Sequence, residues 1–247
     1  MKNIKISNIT KKYDDITILN NISLDIQPNT INAIVGPNGC GKSTLLNILA
    51  GIDKDYSGEH NLNDNVSYIF QNYRDSLMPW RNNYKNVSLP LELKNISKEE
   101  ISKKINELQK IFQLDIDMTK YPYQLSGGQQ QQLAFIRALV NVPKLLFIDE
   151  PFSALDYETN LKLRDGLQRY QKLYKSTIFL ITHNIEEATH LADKIIVLSK
   201  RPTKITNIID NKRTCHRTTD YLKSQEFNKV KNKVLNAFEK AVISDVK

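Results

Sequence analysis

Gly36-Pro37-Asn38-Gly39-Cys40-Gly41-Lys42-Ser43-Thr44 stands between two apolar-rich runs, Ile31 to Val35 and Leu45 to Leu49. Its form is Gly-x4-Gly-Lys-Ser, a P-loop, and its place after an expected strand and before an expected helix is the setting in which that pattern holds phosphate. Glycines let backbone N–H groups close around phosphate oxygens, and the helix N-terminus adds a positive dipole. Lys42 is then placed to reach the terminal phosphates and Ser43 to ligate Mg2+. With average residue usage the pattern arises by chance in roughly 1% of chains this long. Gly36, Pro37, Asn38, Gly39, Cys40, Gly41, Lys42, Ser43 and Thr44 are therefore candidate binding residues for a nucleoside triphosphate.

Working outward, Leu125-Ser126-Gly127-Gly128-Gln129 precedes a helical-looking run from Gln130 to Val140. On its own this is a serine cap with two glycines in a turn. Here it makes a second glycine-rich helix start of the kind that binds anions. Leu145-Leu146-Phe147-Ile148-Asp149-Glu150-Pro151 follows, a short apolar strand ending in two acids. Acids at a strand end are often only solvated charge, but after a P-loop Asp149 can hold Mg2+ and Glu150 can polarise a water. That is a hydrolytic arrangement.

The order of these motifs resembles the nucleotide-binding subunit of ATP-binding cassette (ABC) transporters, and the likeness runs from about Ile4 to about Ile209. It implies further roles. Tyr13 matches the family's aromatic that stacks on adenine, and Gln71, ending Val66-Ser67-Tyr68-Ile69-Phe70-Gln71, matches the glutamine that contacts Mg2+ and the attacking water. Ser153-Ala154-Leu155-Asp156 is similar to the loop that communicates across the dimer, with Asp156 its candidate binding residue. His183, in Ile181-Thr182-His183, is similar to the switch histidine that touches the γ-phosphate. In the family, Ser126, Gly127, Gly128 and Gln129 complete the site of a partner subunit, because two subunits pair head to tail. One departure stands out: Gln130-Gln131-Gln132 follows the second glycine motif where relatives often carry a basic residue, which implies altered dimer affinity with catalysis retained.

Length and composition agree. At 247 residues the chain can bury a full core. No apolar run approaches the eighteen or more residues of a membrane-spanning helix, and the N-terminus begins alternating as a strand, so a cytoplasmic chain is expected. Cys40 and Cys215 are its two cysteines, which argues against a disulfide framework. The net charge of +8 is concentrated from Lys200 to Lys247, where twelve Lys/Arg face five Asp/Glu. That excess suits a solvated helix face, or else an anionic membrane surface or nucleic acid.

Strands are expected at Ile4 to Ile9, Ile22 to Ile26, Ile31 to Val35, Val66 to Phe70, Leu145 to Ile148, Thr177 to Ile181, Lys194 to Leu198 and Lys204 to Ile209. With helices between the later ones, this is an α/β fold: a P-loop NTPase core with a mostly parallel sheet, an antiparallel β layer and an inserted helical subdomain. The antiparallel layer is assigned to the first strands and those near residue 200. One domain is expected over 1–247, with its core in 1–71 and 133–210, the helical subdomain in 72–132 and a helical tail in 211–247. Ser97 caps a run in which Ile101, Ile105, Leu108 and Phe112 recur at helical spacing. Phe227, Val230, Val234 and Phe238 share one face of the tail.

The resemblance implies an ATPase, with ATP and Mg2+ as cofactors, that drives a solute importer. Its partners would be a second nucleotide-binding subunit, an integral membrane permease at the cytoplasmic face, and indirectly an extracytoplasmic solute-binding protein. Met78-Pro79-Trp80-Arg81, with Asn86 to Leu93, and Leu198-Ser199-Lys200-Arg201-Pro202 look like the nitrate, sulfonate and taurine branch. Trp80 and Met78 fall where the family docks the permease, and Met, Trp and Arg are enriched where proteins meet. The alternative is a soluble cassette ATPase acting on nucleic acid, translation or cofactor assembly, suggested by the basic tail. No specific nucleic-acid partner is expected, because the paired cassettes or long coiled coil of that class are absent.

Overall fold

The computed structural model describes residues 3–62, 65–152, 155–212 and 216–243. Two sheets organise it. The larger has six strands in the order β5 (Val66–Ile69), β6 (Leu145–Asp149), β7 (Thr177–Ile181), β3 (Ile31–Val35), β8 (Lys194–Leu198) and β9 (Ile205–Asp210). All neighbours pair parallel except β9, which returns antiparallel along β8. The smaller sheet is antiparallel, ordered β2 (Ile16–Ile26), β1 (Ile4–Tyr13), β4 (Ser57–His60).

The strands near residue 200 thus extend the main sheet instead of joining the antiparallel layer. Lys194-Ile195-Ile196-Val197-Leu198 is buried over its last four residues, the pattern of a strand covered on both faces. Its place between β3 and β9 in the main sheet provides that cover.

Period-two alternation divides the core. Ile31, Ala33 and Val35 face one layer with Leu146, Ile148, Ile178 and Leu180. Ile34, Phe147, Phe179 and Ile181 face the other, where they meet α1 (Lys42–Leu49) and the three-stranded sheet. The helix after the P-loop is therefore held between two sheets, and Leu45, Leu46 and Ile48 are fully buried there.

The first layer is covered by α2 (Tyr73–Ser76), α3 (Asn83–Glu92), α4 (Lys98–Phe112), α5 (Gly127–Leu139), α6 (Tyr157–Tyr174), α7 (Ile185–Leu191) and α8 (Gln225–Ile243). Ser97 caps α4 by accepting from the Glu100 N–H, and Ile101, Ile105, Leu108 and Phe112 are its buried face. Phe112 lies on Gly166 of α6, where a Cβ would fall 2.3 Å from the ring, so the two helices approach closely only because that residue is glycine. α5 runs unbroken through residue 132. In α8, Phe227 and Val234 are buried and Val230 and Phe238 pack against the same core. No described helix is long and apolar enough to cross a membrane.

Candidate nucleotide site

In an open α/β sheet, ligands sit beyond the carboxyl ends of the strands. Here β3, β6 and β7 end together: Ile34 pairs with Ile181, and Asp149 pairs with Ile181 from the other side. The P-loop leaves the first of these strands, Glu150 the second, and Thr182-His183 the third. A larger cavity of about 680 Å3 opens at the opposite ends, beside Thr30, Asn32 and Lys194, and contains none of the candidate residues.

The P-loop turns into α1 through Gly41, whose φ of 107° lies in the left-handed region. Any Cβ there would also meet Ile18 Cγ2 at 2.7 Å, so both backbone and space require glycine. Lys42 is buried and folds back over the loop, donating to the carbonyls of Gly36 at 2.9 Å and Pro37 at 3.0 Å. An ammonium has three donors, so one is left for a ligand. Cys40 is 2% exposed. Burial pushes its thiol up, partly offset by Lys42 and Arg201, so it is a small packing residue and not a thiolate.

Glu150 departs from the strand with φ 47°, unusual for a residue bearing a side chain. Its N–H still donates to Ile181 O at 3.0 Å. Its carboxylate collects the other candidates: Gln71 Nε2 donates to Oε2 at 3.1 Å, and His183 Nδ1 lies 3.4 Å from the same oxygen. These residues share a cleft of about 490 Å3 with Asn38, Gly39, Gly41, Lys42, Ser43, Thr44 and Arg201. A carboxylate held by an amide and an imidazole beside phosphate donors can accept a proton from water.

Asp149 is 6% exposed. Burial raises its pKa above the usual carboxylate value and adjacent Glu150 adds to this, while a hydrogen bond from Ser43 and the charge of Lys42 pull it down. A buried acid beside a second acid, bonded to a hydroxyl, is a hard-oxygen set that a cation would relieve, so Ser43 and Asp149 fit Mg2+. Among the described residues no group of three or more His, Cys, Asp or Glu could hold a metal.

Several candidates lie outside this cleft. Ser126 caps α5 by accepting from the Gln129 N–H at 3.3 Å, and Gln129 Oε1 accepts from the Ser126 N–H at 3.1 Å. The Ser126-Gly127-Gly128-Gln129 turn is thus a capping box and contributes nothing to the lining of its own chain's cleft. Gln130 Nε2 donates to Pro122 O and Leu125 O, steadying that turn, while Gln131 donates to Pro151 O. Tyr13 is half exposed, its hydroxyl 3.3 Å from Asp53 Oδ2 and its ring under the Lys11 ammonium. Asp156 is the N-cap of α6, accepting from the Thr159 N–H. Ser153 and Ala154, like Cys215, fall outside the described residues.

Sequence reading gave no role to Arg201 or Glu187, and both belong to the neighbourhood of the cleft. Nothing local ties Arg201 to the cleft, because only the pairing of β8 with β3 brings it there. Glu187 reads as an ordinary acid in a first helical turn.

The sequence profile described as ABC transporter matches residues 19–153. The chain is 38% identical to an ABC transporter ATP-binding protein of Methanocaldococcus jannaschii, over 99% of this chain and 94% of that one. It is 37% identical to the aliphatic sulfonates import ATP-binding protein SsuB of Bacillus subtilis, over 91% of this chain and 88% of the relative. Among solved structures it resembles a dimeric ATP-binding cassette in a post-hydrolysis state with ADP and phosphate. There the TM-score is 0.75 at 32% identity, covering 85% of this chain and 99% of that one.

Proposed function

This chain belongs to the ABC transporter family of ATP-binding, ATP-hydrolysing subunits, and from that premise we propose that it powers a solute importer as a head-to-tail dimer on a separate membrane permease. The observation that carries the dimer is the placement of Ser126 to Gln129. The second anion-binding turn lies outside the cleft holding Lys42, Glu150 and His183, so it is left to serve a nucleotide on another copy. In the similar cassette structure two copies do associate.

In this reading Gly36 to Thr44 cradle the phosphates of ATP through backbone donors and Lys42. Ser43, Gln71 and Asp149 would hold Mg2+, which supplies charge neutralisation on the phosphates. Glu150 takes the proton of the attacking water, Gln71 and His183 position that carboxylate, and His183 reaches the γ-phosphate. Tyr13 offers its ring to the purine. Ser126 and Gly128 of a second copy close the site, and Asp156 steadies the loop between copies. ATP shared by both faces stabilises the closed dimer, and its cleavage releases it.

The importer assignment is supported by relatives named for sulfonate import that align over more than nine-tenths of the chain. Such a subunit would work at the cytoplasmic face of the membrane, served indirectly by a solute-binding protein outside. Affinity purification from gently solubilised membranes tests this. Recovery of a multi-span permease, with ATP turnover raised by it, is the expected result. Salt-sensitive binding of DNA or RNA with no membrane partner would replace the importer by a soluble cassette ATPase.

A further inference from the structure

We propose that Arg201, carried by the turn between β8 and β9, is a second phosphate-binding cation of the nucleotide site, acting on the nucleotide held by the same chain's P-loop. The proposal rests on the ATP site described above and adds to it a residue outside the P-loop, the 126–129 turn and the Asp149-Glu150 pair.

Parallel pairing sets its position. Val35 of β3 is opposite Val197 of β8, so the chain leaves both strands at the same level, one into the P-loop and the other into Ser199-Lys200-Arg201-Pro202. The turn is fixed there. Thr203 is fully buried and its hydroxyl donates to the P-loop carbonyl of Cys40. Its N–H donates to Ile18 O at 2.8 Å, and its carbonyl accepts from the Asn20 N–H at 2.9 Å. Ser199 closes the turn, its N–H donating to Lys204 O and its hydroxyl accepting from the Lys204 N–H. At the base of the P-loop Leu198 lies so near Gly36 that a Cβ on the glycine would be 3.0 Å from it. Arg201 is thus presented by a turn anchored to the loop that holds the phosphates.

Charge supplies the second half. Arg201 lines the same cleft as Lys42, Ser43 and Glu150, and Glu150 is the one acid among the lining residues. That acid is engaged by Gln71 and His183. Arg201 also lines a hollow on the outer wall of the loop with Pro37, Asn38, Gly39 and Cys40, and its charge acts on the Cys40 thiol, so the residue stands beside the loop whose backbone would cradle phosphate. A guanidinium offers a planar fork suited to paired phosphate oxygens and stays charged at any working pH. Lys200, its exposed neighbour, borders the outer wall but not the cleft.

Equilibrium binding of ATP to the full chain carrying Glu150→Gln, with hydrolysis blocked, tests this. Arg201→Ala should weaken ATP binding roughly 3- to 10-fold, an exposed charge-assisted contact being screened by salt. The same factor should appear when inorganic tripolyphosphate competes with a fluorescent ATP analogue. Arg201→Lys should recover part of the loss, keeping the charge but not the fork, and Lys200→Ala should stay within about twofold, since its charge lies outside the cleft. Unchanged affinity in Arg201→Ala, alongside lost binding in Lys42→Ala, overturns the role of Arg201 and leaves the ATP site standing. Weakened ATP binding with unchanged tripolyphosphate binding also overturns it, because the contact would then be to sugar or base. If Lys42→Ala binds as well as the parent, the ATP site itself is wrong.

Discussion

Thr182 donates a hydrogen bond of 2.5 Å from Oγ1 to Oε2 of Glu187, whose other oxygen accepts from Asn160 Nδ2 at 3.3 Å. Thr182 immediately precedes His183, and Asn160 is in the first turn of the helix that Asp156 caps. Thr182 Oγ1 also accepts the Asn184 N–H at 3.0 Å. One buried carboxylate thus ties the loop bearing His183 to the start of α6. Glu187→Ala leaves the Thr182 hydroxyl and the Asn160 amide unsatisfied beside buried Arg164, so it should cost about 2–4 kcal/mol in urea unfolding. With His183 no longer held, kcat should fall roughly tenfold while the KM for ATP changes little. Glu187→Gln should stay within about threefold of the parent in kcat. Its amide oxygen can still accept from Thr182, and the buried Asn160 Oδ1, which lacks a hydrogen-bond partner, can accept its N–H.

Glu150 is the shared partner of Gln71 and His183. Glu150→Gln keeps the shape and removes the base, so ATP turnover should drop by about 10²- to 10⁴-fold while ATP still binds. Size-exclusion chromatography with ATP and Mg2+ should then show a persistent dimer. Undiminished phosphate release by this variant would remove Glu150 from the chemistry.

Trp80 is 75% exposed, although the loop beneath it is firmly built. Asn86 is fully buried, accepts from the Met78 N–H at 2.8 Å and donates to the carbonyls of Met78 and Arg81. A rigid loop holding out an indole is the form of a docking anchor. Trp80→Ala should leave ATP turnover of the isolated chain unchanged and weaken capture of the permease roughly 30-fold, the loss typical of a central aromatic. Equal permease recovery by both forms would move the contact elsewhere.

His190 supplies a pH signature. It is 2% exposed, its Nε2 lies 3.0 Å from the carbonyl of Arg217, and its Nδ1 is buried without a hydrogen-bond partner. Burial, and then the charge of Arg164, lower its pKa to about 4. Between that value and the unfolded value near 6.5 the unfolded chain holds the extra proton, so stability falls with falling pH. The loss begins below about pH 6.5 and should reach roughly 2 kcal/mol by pH 5. Urea titrations at pH 7 and pH 5 should show it, and His190→Gln should flatten this part of the difference.

The legible signals are the local ones. Gly36 to Thr44, Ser126 to Gln129, and the spacing of Ile101, Ile105, Leu108 and Phe112 each specify a turn, a cap or a helix face within one short window. Ser57-Gly58-Glu59-His60 does not read as a strand: it has no apolar alternation and becomes one by pairing with β1. Lys194 to Leu198 reads as a strand, but its sheet is decided by β3, some 160 residues earlier. Arg201 depends on the same kind of distant neighbour, and so does the bond from Asn160 to Glu187, 27 residues apart. Pairing between remote strands leaves no mark in the window where either residue is read.

Ser126 to Gln129 lie outside the cleft of their own chain, so complementation between damaged copies separates a shared site from a self-contained one. Lys42→Ala removes the phosphate cation. Gly128→Asp places a carboxylate in the first turn of α5, where the helix dipole favours it and where a Cβ meets nothing nearer than 3.5 Å, so the chain folds while repelling a triphosphate. Each variant alone builds two defective sites per dimer. In a mixed dimer one site combines the two defects and the other combines the intact P-loop of one copy with the intact 126–129 turn of its partner. Equal mixing should therefore restore about a quarter of the parent's ATP turnover, since half the dimers are mixed and each has one working site of two. Recovery no greater than the sum of the separate variants would mean that each chain hydrolyses ATP alone.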